Sequence, residues 1–185
     1  MFSQKGYSAV SIRDICKRVK IKESTVYYHF QNKQDIFDTL TEHFSAVSSE
    51  LISSLSNAMQ SPEKKLDGNF FENVGNIYIE KFLMDSFCNS FIRALYIEQF
   101  GNDDARELYE KWMFDYPIST QERIFSQCIK LGIIPQTDAH YLAVRYYAPI
   151  YFYFQRYLLS GKLTEEKKEL FRKEAYQHII EFMKD

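Results

Sequence analysis

The chain has 185 residues, 45% of them hydrophobic and 26% charged, with a net charge of −2, a balance that supports a sizeable folded core and argues against a disordered chain. Its three cysteines, Cys16, Cys88 and Cys128, are odd in number and far apart, which argues against a disulfide framework and for a reducing cytoplasm. No charged-then-apolar leader pattern opens the chain, and the longest apolar run, residues 146–154, is too short to cross a bilayer, so no membrane partner is expected.

Charge is uneven along the sequence. Residues 1–37 hold seven Lys or Arg against three acids, a net of +4, so the rest of the chain carries −6. A basic head on an acidic body suits a protein that meets phosphate through one end.

The first clear element opens at Ser11. Ile12, Ile15, Cys16 and Val19 recur at i, i+3, i+4 and i+7, which gathers them on one helix face, and Ser11 with Asp14 makes a capping pattern at its start. A three-residue turn leads to a second helix over residues 23–30. There Val26 and Phe30 point back toward the first helix, leaving Ser24, Thr25, Tyr27 and Tyr28 outward. Hydroxyls and tyrosines on an exposed helix face suit phosphates and thymine methyls in a major groove. Asn32 then caps a third helix, with Lys33 at its first position and Asp35 at its third. A lysine beside the free N–H groups of a helix start is a natural phosphate clamp.

The ordered set Gly6-Tyr7, Ser11-Ile12, Asp14-Ile15 and Val26-Tyr27-Tyr28-His29-Phe30 followed by Lys33 resembles the DNA-binding domain of the TetR family of bacterial repressors, over about residues 2–37. The resemblance implies contacts to double-stranded operator DNA, with Ser11, Thr25, Tyr28, His29 and Lys33 on phosphates and Ser24 and Tyr27 on base edges. Two departures stand out. The recognition helix opens Lys22-Glu23-Ser24 where relatives usually carry a serine or threonine and a basic-glycine pair. Glu23 either stabilises the helix N-terminus through the dipole or accepts from cytosine N4. The family's first helix would also run for about a dozen residues ahead of Met1-Phe2, and without it Ile15 and Val26 are expected to be exposed.

Beyond Asn32 the helical pattern continues through Ile36, Phe37, Leu40, Phe44, Val47, Leu51 and Leu55 to a break at Ser61-Pro62. Apolar spacing predicts further helices from Phe70 to Phe82, from Phe87 to near Gly101, and from Asp103 to near Gly132 with Pro117 as a kink or a new start. No strand-like alternation persists, so the expected fold is all-α: a helix-turn-helix head, residues 1–37, joined by a long helix to a ligand-binding and dimerisation body, residues 38–185. The last third reads as two antiparallel helices, residues 138–159 and 164–184, turning at Ser160-Gly161-Lys162. The first of these has more apolar surface than one buried stripe needs, which predicts a homodimer through the two C-terminal helices, as the resemblance also implies.

Aromatic residues make up 17% of the chain. Many sit at helical spacing in the body, most of them as core, but rings with polar tips also suit a cavity for a small hydrophobic or aromatic effector. Phe82, Phe91, Tyr96, Tyr109, Trp112 and Tyr147 are the expected lining. The four histidines have no partners at metal-ligand spacing, and no nucleophile has a base nearby in sequence, so neither metal, cofactor nor enzyme chemistry is expected. The sequence therefore predicts an effector-responsive transcriptional repressor. The alternative is a helical small-molecule or lipid-binding protein that no longer binds DNA.

Overall fold

A computed structural model describes residues 1–60 and 68–184. Within them every regular element is helical, as expected. In chain order these are α1 (Phe2–Lys5), α2 (Ile12–Val19), α3 (Glu23–His29), α4 (Lys33–Gln60), α5 (Gly68–Tyr78), α6 (Ser86–Glu98), α7 (Asp103–Glu110), α8 (Tyr116–Lys130), α9 (Ala139–Tyr153) and α10 (Glu165–Phe182). Wide π-helical turns extend α5 (Ile79–Leu83), join α7 to α8 (Lys111–Asp115) and extend α9 (Phe154–Leu159). The break expected at Ser61-Pro62 lies outside the described residues.

The chain packs as two compact units. The first comprises Met1–Glu50 with Ser86–Tyr109. Its core is a relay of rings: Phe2, Tyr7 and Phe37 meet with centroids 4.9 to 6.1 Å apart, Phe37 reaches Phe91 at 5.6 Å, and Phe91 packs on Phe44 at 4.8 Å and stacks on Phe87. Such pairs each add about 0.5–1.5 kcal/mol beyond the area they bury. The relay fixes α6 against the segment that leads into the head. Glu98, almost wholly buried, completes that contact by accepting from the Ser8 amide at 2.9 Å and the Ser8 hydroxyl at 2.7 Å. Gly6 is required beside it. Its φ is +81°, and a Cβ there would overlap the Glu98 carboxylate and Ile97.

The second unit comprises Leu51–Asp85 with Glu110–Asp185. Here α8 lies along α9, and α10 packs on α9 and α5. Each presents a buried stripe at helical spacing: Pro117, Thr120, Gln121, Ile124, Phe125 and Cys128 on α8, Ala143, Tyr146, Tyr147 and Ile150 on α9, and Phe171, Ala175 and Ile179 on α10. Phe125, Tyr146 and Phe182 close on one another with centroids 5.2 to 5.9 Å apart. Pro117 stands in the first turn of α8, just after a π-helical turn that ends at Asp115, and a proline has no N–H to bond one turn back, so the chain widens where the ordinary ladder would be broken. The α9–α10 turn is set by Gly161 at φ +60°, and the Thr164 side chain caps α10 by accepting from the Lys167 amide.

Three details depart from the periodicity reading. Val19, expected on the buried face of α2, is 55% exposed, because it ends the helix beside a left-handed residue and no further turn covers it. Val26, expected to be exposed, is buried, and Ile15 is half-buried, since α2 packs directly on α3 in a core that also holds Val10 and Cys16. Leu170, expected in the α10 seam, is partly exposed because it lies one position round the helix from Phe171.

Candidate nucleic-acid interface and effector cavity

The head is organised by short-range capping. Ser11 Oγ accepts from the Asp14 amide at 3.1 Å and donates to Asp14 Oδ2 at 2.6 Å, while the Ser11 amide donates to the same oxygen at 3.0 Å. These bonds hold the Asp14 carboxyl below its ordinary range. Lys20 ends α2 at φ 60°, ψ 42°, the left-handed region, with its amide returned to the Cys16 carbonyl. The chain thus reverses within three residues and delivers α3 across α2. The Asn32 side chain caps α4 by accepting from the Asp35 amide at 3.0 Å, and Asp35 accepts in turn from the Gln31 amide.

These caps leave the outer face of α3 uncommitted. Glu23, Ser24, Thr25, Tyr27, Tyr28 and His29 are all exposed, Tyr28 at 84% and Tyr27 at 53%. Tyr28 stands edge-on to His29 at 4.9 Å. A shallow depression runs between this face and the starts of α2 and α4, lined by Ser11, Arg13, Glu23, Tyr27, Asn32 and Lys33 among others. Lys33 is more occupied than its sequence position suggests. Its ammonium donates to the Tyr7 carbonyl at 2.9 Å and lies 4.1 Å from the Tyr7 ring centre. This fixes the nitrogen with one of its three donors. Ser11, by contrast, spends its hydroxyl on Asp14.

The aromatic residues expected to line an effector site divide between the two units. Phe91 belongs to the ring relay of the first, where Tyr96 and Tyr109 also lie with centroids 5.6 Å apart. Phe82, Trp112 and Tyr147 belong to the second. Periodicity finds buried rings without saying which core they join. In the second unit a cavity of about 20 Å³ lies among α5, α8 and α9. Leu55, Val74, Ile79 and Ile150 give it apolar walls, and Tyr78, Tyr116, Thr120, Gln121, Tyr146 and Tyr147 supply polar tips. Of the expected six, Tyr147 lines it directly. Phe82 and Trp112 lie behind, in a chain of rings that reaches the cavity wall at Tyr116.

The hydroxyls of Tyr78 and Tyr147, both lining this cavity, share a hydrogen bond of 3.1 Å. Burial pushes the Tyr78 and Tyr146 phenols above their ordinary range, so both stay neutral. Gln121, only 9% exposed, leaves its Oε1 without a hydrogen-bond partner. Gly75 admits close packing here, since a Cβ would come within 2.8 Å of Ile179. Periodicity alone missed Gln121 and Tyr78. The available signal was two adjacent polar residues, Thr120 and Gln121, in the otherwise apolar stripe of α8, since core positions are rarely spent on an amide without purpose.

Among the described residues no group of His, Cys, Asp or Glu is arranged to hold a metal ion, and no helix is long and apolar enough to cross a membrane. His140 pairs with Glu122 at 2.9 Å, and His178 Nε2 donates to the Tyr146 carbonyl at 2.8 Å.

A capped helix-turn-helix on a helical body defines an architecture, and comparison with known proteins supplies the family. Residues 1–40 match the profile of the bacterial regulatory proteins, tetR family. Over 43 residues the chain is 42% identical to the biofilm operon icaADBC HTH-type negative transcriptional regulator IcaR of Staphylococcus epidermidis, and over 38 residues it is 45% identical to IcaR of Staphylococcus aureus. The match spans 23% of the S. epidermidis protein's length and 20% of the S. aureus protein's. Likeness over the whole chain comes from solved structures. A protein assigned to the TetR-family regulators from Mesorhizobium loti superposes with a TM-score of 0.67 at 19% identity, covering 98% of this chain and 88% of that one. The TetR family regulator PfmR from Thermus thermophilus gives 0.64 at 15% identity, covering 97% and 92%. Residues 1–40 thus match the TetR-family profile, and the chain as a whole shares the fold of solved TetR-family regulators.

Proposed function

We propose that the chain is a DNA-binding transcriptional repressor that acts as a homodimer and leaves its operator when a small hydrophobic or aromatic effector enters the cavity of the second unit. The observation that carries this reading is the outer face of α3. The caps on either side of it, Ser11 with Asp14 and Asn32 with Asp35, use the local hydrogen-bonding groups, yet Tyr27, Tyr28 and the hydroxyls beside them are left to solvent. Two large tyrosines exposed on a seven-residue helix gain nothing for stability. They gain a great deal against a major groove. Thr25, Tyr28, His29 and Lys33 then hold phosphates, with Ser11 acting chiefly by ordering α2, while Ser24, Tyr27 and Glu23 meet base edges.

The dimer is proposed on an exposed stripe of α9. Tyr141, Val144 and Phe152 recur along one face opposite the buried stripe, and Leu170 and Ile180 extend the apolar surface on α10. An effector releases DNA only by binding one conformer more tightly than another, and a closed cavity in one conformer provides that inequality.

The test is a mobility-shift titration on the DNA upstream of the gene. Lys33→Ala should weaken binding to all sequences about equally, and Tyr27→Ala should change which sequences are preferred. Equal losses on operator and random DNA for both variants would refute the division of roles. Phe152→Asp should give a monomer by light scattering and lose operator binding with it.

A further inference from the structure

The second-unit cavity combines three properties that restrict what can enter it. Among the described residues its lining contains no Asp, Glu, Lys, Arg or His, so a charged ligand would surrender its hydration without gaining a counter-charge from them. Its Gln121 Oε1 is buried and unpaired, an acceptor that already carries the cost of desolvation. Its Tyr78 and Tyr147 hydroxyls satisfy each other at 3.1 Å and must be given an equivalent partner if a ligand parts them. A carboxylate fails the first condition and offers Gln121 Oε1 no donor. An ammonium offers a donor but fails the first. A hydrocarbon passes the first and leaves Gln121 Oε1 without a donor.

We infer that the effector is an uncharged, largely apolar molecule presenting one hydroxyl, a phenol in its simplest form, which donates to Gln121 Oε1 and takes the place of the Tyr78–Tyr147 hydrogen bond. This rests on reading the cavity as the effector site. The hydroxyl is singled out because at one atom it donates once and accepts twice, so it can donate to the amide and accept from both tyrosines. The rings of Tyr78, Tyr146 and Tyr147 suit a flat partner edge-on. The cavity of about 20 Å³ holds no more than a water as it stands, so entry of a ring requires its lining to move, and parting of the tyrosine pair is the movement we infer. That rearrangement is the differential affinity that release of DNA needs.

Calorimetric titration of the full chain with phenol, benzoate, benzylammonium and toluene tests the inference, alongside the near-isosteric variant Gln121→Leu. Phenol should bind at least tenfold more tightly than either ion. The substitution should weaken phenol tenfold or more and leave toluene unchanged. Removing an unpaired buried carbonyl should also raise the melting temperature of the unliganded variant by roughly 2–4 °C, which separates a lost contact from a damaged fold. An ion binding as well as phenol, or phenol binding that ignores Gln121, overturns the ligand class. If phenol binds through Gln121 but operator DNA is not released, the ligand class stands and the effector reading fails. If release of operator by an ion follows occupancy of this cavity, the effector reading stands and the ligand class fails. If no probe binds and a water alone occupies Gln121 Oε1, both fail.

Discussion

The outer face of α3 and the interior of the second unit treat polar groups in opposite ways. Around α3, neighbours within four residues settle the backbone donors and acceptors: Ser11 with Asp14, Asn32 with Asp35, and Lys20 with Cys16. The side chains that remain point to solvent. Inside the second unit the Tyr78 and Tyr147 hydroxyls meet from 69 positions apart, and an amide oxygen is left over at Gln121. The surface proposed to meet DNA is thus assembled locally, whereas the cavity proposed to take a small molecule is assembled by tertiary packing.

Substitutions can break this contrast or sharpen it. The largest effect is expected at Phe125, fully buried among Tyr146 and Phe182, where Phe125→Ala should cost about 3–5 kcal/mol in chemical denaturation. Tyr28→Ala, which removes a ring of similar size from the head, should shift stability by less than about 0.5 kcal/mol and act on DNA affinity instead. If Tyr28→Ala destabilised the fold as Phe125→Ala does, the α3 face would be structural. Glu98→Ala should cost about 1–3 kcal/mol, because the Ser8 amide and hydroxyl would both lose their acceptor beneath α6. Ser11→Ala removes the cap of α2 and should cost about 1 kcal/mol by the same measurement.

Acid provides a gentler test of the same cap. The Asp14 carboxyl is held below its ordinary value in the folded head, so its contribution is present above the unfolded carboxylate range and is lost as pH falls through the folded value. Helix content monitored through an acid titration should therefore show Ser11→Ala losing part of the wild-type acid sensitivity. At the small end, Lys20→Gly relieves a left-handed backbone and should stabilise by a few tenths to about 1 kcal/mol.

The same contrast explains what was legible in the sequence. The capping box, the short reversal, the long α4 and the pairing of α9 with α10 follow from signals within a few residues, and the structure shows each of them. The packing of α6 beneath the head was not legible, since Glu98 lies 90 positions from Ser8 and carries no local signature. Nor was the partition of the aromatic residues, because Phe91 and Phe82 have the same helical spacing and differ only in which unit they join. Lys33 was visible as a cation at a helix start, but its hold on the Tyr7 carbonyl depends on a residue 26 positions away.

The central claim is that the α3 face reads DNA. A competitive titration of the intact chain against its upstream operator and a scrambled duplex, repeated at rising salt, tests it most directly. The account predicts that affinity for both duplexes falls steeply with salt as phosphate contacts are lost, while preference for the operator persists and is reduced by Tyr27→Ala. Equal affinity for the two duplexes, or binding that salt does not weaken, would contradict it.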